Sequence, residues 1–193
     1  MKRNVASLHR QLRRPDRGGW HPRARCPQPL RAWLMEPNSL SARIAAACPA
    51  AEPFRLELLF SGSGRPTRDE AALIGAARHQ RVRVREVKLC AGRTPLVFAH
   101  SVTGLQQLRG PWRLMSRLGG GVLGSILFAD PRIRRGAIAF RALDRRDALY
   151  RRAASLGGPL PARLWARRAL FHRNGKPLLV TEVFLPAMES LQR

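Results

Sequence analysis

The dipeptide Asn174-Gly175 lies between two long runs, ARLWARRALFHR (162–173) and KPLLVTEVFL (176–185), and constrains this chain more than any other feature. Asn-Gly is the strongest two-residue hairpin signal, because both central residues of a type I′ turn need positive φ. The flanking runs are rich in branched and aromatic residues, so they read as two paired antiparallel strands. A two-residue turn pairs Arg173 with Lys176, and counting outward sets Arg167 opposite Glu182. Glu182 is thus a carboxyl inside a strand built for burial. An ionised carboxylate is expensive to bury alone, so it must be paired, protonated or exposed. One reading is a cross-strand ion pair with Arg167. The other is a carboxyl of raised pKa facing a pocket, able to donate a proton or a hydrogen bond.

The remaining chain supplies further strands. FRLELLF (54–60) alternates with period two. RVRVREVKLC (81–90) begins with valines at 82 and 84 and then shifts its apolar phase to Val87 and Leu89. Arg83, Arg85, Val87 and Leu89 therefore share one face, with Arg85 beside its apolar end. AGRTP (91–95) closes a hairpin onto LVFAHSV (96–102), and RRGAIAFRAL (134–143) is another strand. Helices are predicted over 29–36, with Pro29 in the first turn, and over 37–47, with Asn38 or Ser39 as N-cap. SGSGRPTRDE (61–70) reads as a loop in which Thr67 caps a short helix reaching Ala76. PWRLMSRL (111–118) reads as helical and leads through a glycine loop into SILF. No strand–helix–strand alternation or repeat emerges. The expected fold is α+β, a single antiparallel sheet of about six strands with helices on one side. Residues 19–193 make up this domain, and the arginine-rich segment 1–18 is expected to be a disordered basic tail.

The net charge of +24 is the footprint expected of a polyanion binder. Lysine, however, occurs only at Lys2, Lys88 and Lys176, and the arginines scatter over every element. No aromatic platform is interleaved with them, so no specific nucleic-acid partner is expected. Apolar runs fall well short of the roughly 20 residues a membrane helix needs, and no apolar leader core is visible. A cytoplasmic protein with no membrane span is expected. Cys26, Cys48 and Cys90 form no CxxC, and none of the five histidines sits at ligand spacing from another, so neither disulfides nor metal is expected.

Gly119, Gly121 and Gly124 spell GxGxxG, but a dinucleotide fingerprint must follow a buried strand within a βαβ unit. These glycines either connect a helix to a strand or let main chain approach a ligand, with Leu123 and Gly124 presenting N–H groups. His100 and Ser101 are adjacent on a strand and point to opposite faces, so they form no catalytic pair. Arg85 is either an ordinary surface arginine or a bidentate anchor for a carboxylate.

VREVKLC (84–90), PLVFAHSV (95–102), VLGSILF (122–128), LWARR (164–168) and NGKPLLVTEVFLP (174–186) together resemble the chorismate pyruvate-lyase family. The likeness runs from about Trp20 to Ala187; SLSARI (39–44) matches more loosely. It implies a six-stranded antiparallel sheet with helical flaps over a buried ligand site, in a monomeric enzyme using no cofactor and no metal. It implies cleavage of chorismate to pyruvate and 4-hydroxybenzoate, a precursor of ubiquinone. The implied contacts are Arg85, Glu182 and main chain at Leu40 and Leu123, with Leu40 standing where the best-known members carry methionine. Arg85 and Glu182 are the implied catalytic pair. Arg85 is expected to clamp the ring carboxylate, and Glu182 to meet the C4 hydroxyl or the leaving ether oxygen. Two alternatives stand beside this reading. One is a non-catalytic aromatic-acid-binding domain of the same fold, as in certain bacterial transcription regulators, for whose winged-helix domain residues 1–30 are too short. The other is a basic nucleic-acid-binding protein.

Overall fold

The computed structural model describes residues 19–28 and 30–191; the basic segment 1–18 and Pro29 lie outside the described residues. Its strands are β1 (Phe54–Gly64), β2 (Val82–Ala91), β3 (Thr94–Gly104), β4 (Ile133–Arg135), β5 (Ala139–Asp144), β6 (Arg163–Arg173) and β7 (Lys176–Phe184). The β6–β7 turn has Asn174 at φ 50° and Gly175 at φ 72°, the geometry that Asn-Gly favours. The predicted register follows, with Arg173 paired to Lys176 and Arg167 to Glu182.

All pairings are antiparallel, in the order β1-β2-β3-β7-β6-β4, and β5 also pairs with β6. The sheet thus has seven strands rather than about six. The run 134–143 is divided near Gly136, and its two pieces lie end to end along β6, opposite Phe171–Arg173 and Arg163–Arg168. β1 extends through Ser61–Gly64, which composition reads as loop, because β2 supplies partners there beyond a bulge at Leu58–Phe60.

The helices are α1 (Leu30–Leu34), α2 (Leu40–Ala47), α3 (Arg68–Ile74), α4 (Leu123–Ala129) and α5 (Ala148–Ala154). Ser39 caps α2 by accepting from the Ala42 N–H. A Thr67–Glu70 capping box starts α3, and Gly75 at φ 69° ends it. Residues 111–118 hold a single 3-10 turn at Arg113–Ser116 rather than an α-helix. SILF lies inside α4, not in a strand.

The helices do not gather on one side. α3 and α5 pack through Leu73, Ile74, Tyr150 and Ala153 onto Val84, Phe98, Leu170 and Val183. α1 and α2 cover the other face at Val87, Leu89, Val97 and Phe184, and α4 covers it at Ala169, Phe171 and Leu178. β2, β3, β6 and β7 alternate between the two faces, which is why both faces of these central strands are apolar. No helix among the described residues is long and apolar enough to cross a membrane.

Candidate active site

Between the sheet and the covering helices α2 and α4 lies a partly open cavity of about 70 Å³, taken as the space open to the centres of water-sized spheres. Arg85, Glu182, Leu40 and Leu123 all line it. Its floor is the face of β2 and β3 that carries Val87, Leu89, Ala99 and Ser101. The register explains the spacing of the two charged groups. Arg85 pairs with Ser101 on β3, and Ala99, two residues away on the same face, pairs with Glu182 on β7. Two strand spacings across and two residues along put the Arg85 and Glu182 Cα atoms about 12 Å apart. Only the small side chains of Ala99 and Ser101 stand between them on β3.

Arg85 is 2 % exposed, and no carboxylate among the described residues pairs with it. One guanidinium nitrogen donates to the Gly119 and Gly121 carbonyls at 3.0 and 2.7 Å. Its Nε has no hydrogen-bond partner. Burial pushes this guanidinium down from its ordinary pKa. A buried cation without a counter-charge is costly, and here it lines a cavity large enough for a small anion.

Glu182 takes part in the ion pair and also faces the cavity. The cross-strand pair exists, with Arg167 Nε donating to Glu182 Oε2 at 2.5 Å, while the same carboxyl lines the cavity. Arg167 is held elsewhere too: its Nη1 donates to the carbonyls of Glu36 at 2.8 Å and Leu34 at 3.2 Å. These are the acceptors left over where α1 ends.

The two flaps are therefore fastened alike. Arg167 of β6 holds the carbonyls that lead into α2, and Arg85 of β2 holds those that lead into α4. In both cases the helix that follows opens toward the cavity. Leu40 and Leu123 are the first residues of α2 and α4, so their N–H groups have no intrahelical acceptor. The two helix starts meet closely. A Cβ on Gly124 would lie 2.6 Å from Ser41 Oγ and 2.9 Å from Ser39 Oγ. A side chain at position 124 would therefore force the serine hydroxyls or the flaps to shift, so Gly124 has a packing reason of its own that involves no dinucleotide.

His100 and Ser101 separate as strand alternation demands. Ser101 is on the cavity floor, whereas His100 is buried on the far face between Glu86, 2.8 Å from Nδ1, and Glu70, 3.2 Å from Nε2. Arg152 completes that cluster on Glu86. The three cysteines are free, and no metal-holding cluster occurs among the described residues.

Some cavity residues escape sequence reading. Ala99 and Ser101 leave a trace, as small residues at period two within the bulky run LVFAHSV. Arg135 leaves none. It is one arginine among many, and its place on the wall follows only from the pairing of β4 with Phe171 of β6.

Comparison with known proteins agrees with this architecture. The family model described as chorismate lyase matches residues 20–191. A probable chorismate pyruvate-lyase of Aromatoleum aromaticum is 47% identical over 172 residues, covering 88% of this chain and 91% of that one. One from Nitrosomonas eutropha is 43% identical over 173 residues, covering 89% and 96%. Among solved structures, the C-terminal domain of PhnF superposes with a TM-score of 0.55 at 18% identity, covering 71% of this chain and 86% of that one. The ligand-binding domain of a GntR-family regulator from Bordetella bronchiseptica gives 0.51 at 16%, covering 69% and 84%. At such identities the likeness concerns the fold alone, whereas the match to the family model over residues 20–191 concerns the sequence itself: this chain belongs to the chorismate lyase family.

Proposed function

We propose that this protein is a chorismate pyruvate-lyase, releasing 4-hydroxybenzoate for ubiquinone biosynthesis together with pyruvate. The observation that carries the reading is Arg85, a buried guanidinium in the cavity wall with no carboxylate partner among the described residues. Chorismate brings a ring carboxylate to fill that position. Its C4 hydroxyl lies para to the carboxylate, and Glu182 stands across the floor at the far end of the same span. The N–H groups that begin α2 and α4, at Leu40 and Leu123, add neutral donors for the ligand's oxygens.

The reaction breaks the C3–O ether bond and removes the C4 proton. The bonding pair leaves with the enolpyruvyl oxygen, and the C4–H pair completes the aromatic ring. The departing enolpyruvate takes up a proton and tautomerises to pyruvate, so the products together contain every atom of chorismate. Aromatisation supplies the driving force, and the protein's part is to orient the ring and keep water out. A carboxyl already accepting from Arg167 is poised as an acceptor, so Glu182 is assigned to the C4 hydroxyl rather than to protonating the ether oxygen.

Incubation of purified protein with chorismate, followed by chromatography of 4-hydroxybenzoate, tests the proposal. Product above the uncatalysed rate is expected, and none above it would refute the reading. Ligand binding without turnover would instead assign the fold to sensing.

A further inference from the structure

We propose that Arg135 is the second anion contact of this site and receives the enolpyruvyl carboxylate; the inference rests on the chorismate reading. A chorismate-sized dianion presents two carboxylates, and Arg85 accounts for one. Among the described residues only a few charged side chains line the cavity, and most are already committed. Arg167 holds Glu182 and the carbonyls ahead of α2, and Arg168 donates to Asp69 at 2.6 Å. Arg135 differs. It lines the cavity and is half-buried, yet no hydrogen bond or ion pair among the described residues engages its guanidinium. That group lies over the Phe128 ring, 5.5 Å from the centroid, which fixes its direction without using its donors. Burial and the nearby Arg167 charge lower its pKa, opposed by Glu182 and Glu36, so it belongs to the same electrostatic neighbourhood.

The registers place Arg135 where a meta substituent points. Arg85 lies on a row that runs through Ser101, Val180 and Ala169. Glu182 stands two residues beyond Val180 to one side of that row. Arg135 pairs with Phe171, two residues beyond Ala169 to the other side. From the Arg85 end, Glu182 and Arg135 therefore lie on diverging bearings. The C4 hydroxyl and the C3 enolpyruvyl ether diverge in the same way from the carboxylate of the substrate ring. A guanidinium at the enolpyruvyl carboxylate also stabilises the negative charge that moves onto this fragment as the ether bond breaks.

The test compares Arg135→Met, which keeps the contact with Phe128, and Arg135→Lys with the unaltered protein. Chorismate kinetics and 4-hydroxybenzoate affinity are measured on each. Arg135→Met is expected to lower kcat/KM for chorismate about 30-fold while the Kd for 4-hydroxybenzoate, which lacks the second carboxylate, stays within about threefold. Arg135→Lys is expected to recover part of the loss as a point charge without the fork. Arg135→Lys reads the same contrast even if the methionine variant does not fold. Unchanged kinetics in both variants, or parallel loss of both ligands, would overturn the assignment while leaving the parent activity standing. Absence of turnover in the unaltered protein would overturn both.

Discussion

Arg85 and Gly121 are joined by a 2.7 Å hydrogen bond that ties the centre of the sheet to the loop ahead of α4. One guanidinium thus faces the ligand space and holds the flap that covers it. Arg85→Ala is expected to weaken 4-hydroxybenzoate binding about 100-fold or more, since it removes one partner of a desolvated ion pair. Arg85→Lys is expected to restore little, because an ammonium cannot reach a carboxylate and two carbonyls as a planar fork does. Calorimetric titration of the product measures both.

Glu182→Gln keeps an acceptor for Arg167 and removes the charge. The melting temperature is expected to move by only a few degrees, with kcat falling about 10- to 100-fold, as for loss of a charged hydrogen bond. Unchanged kcat and unchanged product affinity would mean that Glu182 serves the ion pair alone.

Ala99→Leu should fill the floor between Arg85 and Glu182, where only small side chains now stand. The added carbons enter an existing cavity, so folding is expected to survive while ligand binding disappears. Thermal melts with and without 4-hydroxybenzoate will show a stable protein that the product no longer stabilises.

Gly124→Ala places a methyl 2.6 Å from Ser41 Oγ and 2.9 Å from Ser39 Oγ. Ser39 cannot turn away freely, because its hydroxyl caps α2. The flaps must separate at a cost of about 1–3 kcal/mol, and stopped-flow measurement is expected to show faster 4-hydroxybenzoate release by about tenfold or more. Ser41→Gly in the same chain is expected to recover part of the change.

The His100 cluster sets a pH window for stability. Burial disfavours its charge, but hydrogen bonds to Glu70 and Glu86 outweigh this and raise its pKa from 6.5 to about 9. A group whose folded pKa lies above its unfolded one stabilises fully below the unfolded value. Its contribution is expected to decline above pH 6.5 and vanish as pH rises through about 9. Glu70 and Glu86 are desolvated as well, but the His100 partner lowers both from 4.5, so their contribution is lost on acidification instead. Urea melts across this range should show the alkaline decline, and His100→Gln should flatten it while lowering stability overall by about 3 kcal/mol.

Much of this architecture is legible from local chemistry. Asn174-Gly175 admits one turn and therefore one register, and Ser39 and Thr67 mark helix starts through hydrogen bonds within four residues. The phase shift in β2 places Arg85 on the face of Val87 and Leu89. Features decided by distant partners are not legible. Ser61–Gly64 looks like loop until β2 supplies its hydrogen bonds. Residues 111–118 have helical composition, but Trp112 Nε1 is held by the Lys176 carbonyl and the segment makes only the single 3-10 turn that follows it. Arg135 becomes a wall residue only through β6.

The two-residue β6–β7 turn also bears on how the site comes into being. Arg167 and Glu182 are only 15 positions apart, whereas Arg85 must find Gly121 across 36. Hairpins close in microseconds, while pairings of greater sequence separation wait on chain search. The acidic half of the site thus belongs to a segment able to form early, and the Arg85 half arrives with the flaps. A folding chain that has made only its hairpin already carries its paired carboxylate, and it acquires an anion pocket only when the whole sheet is closed.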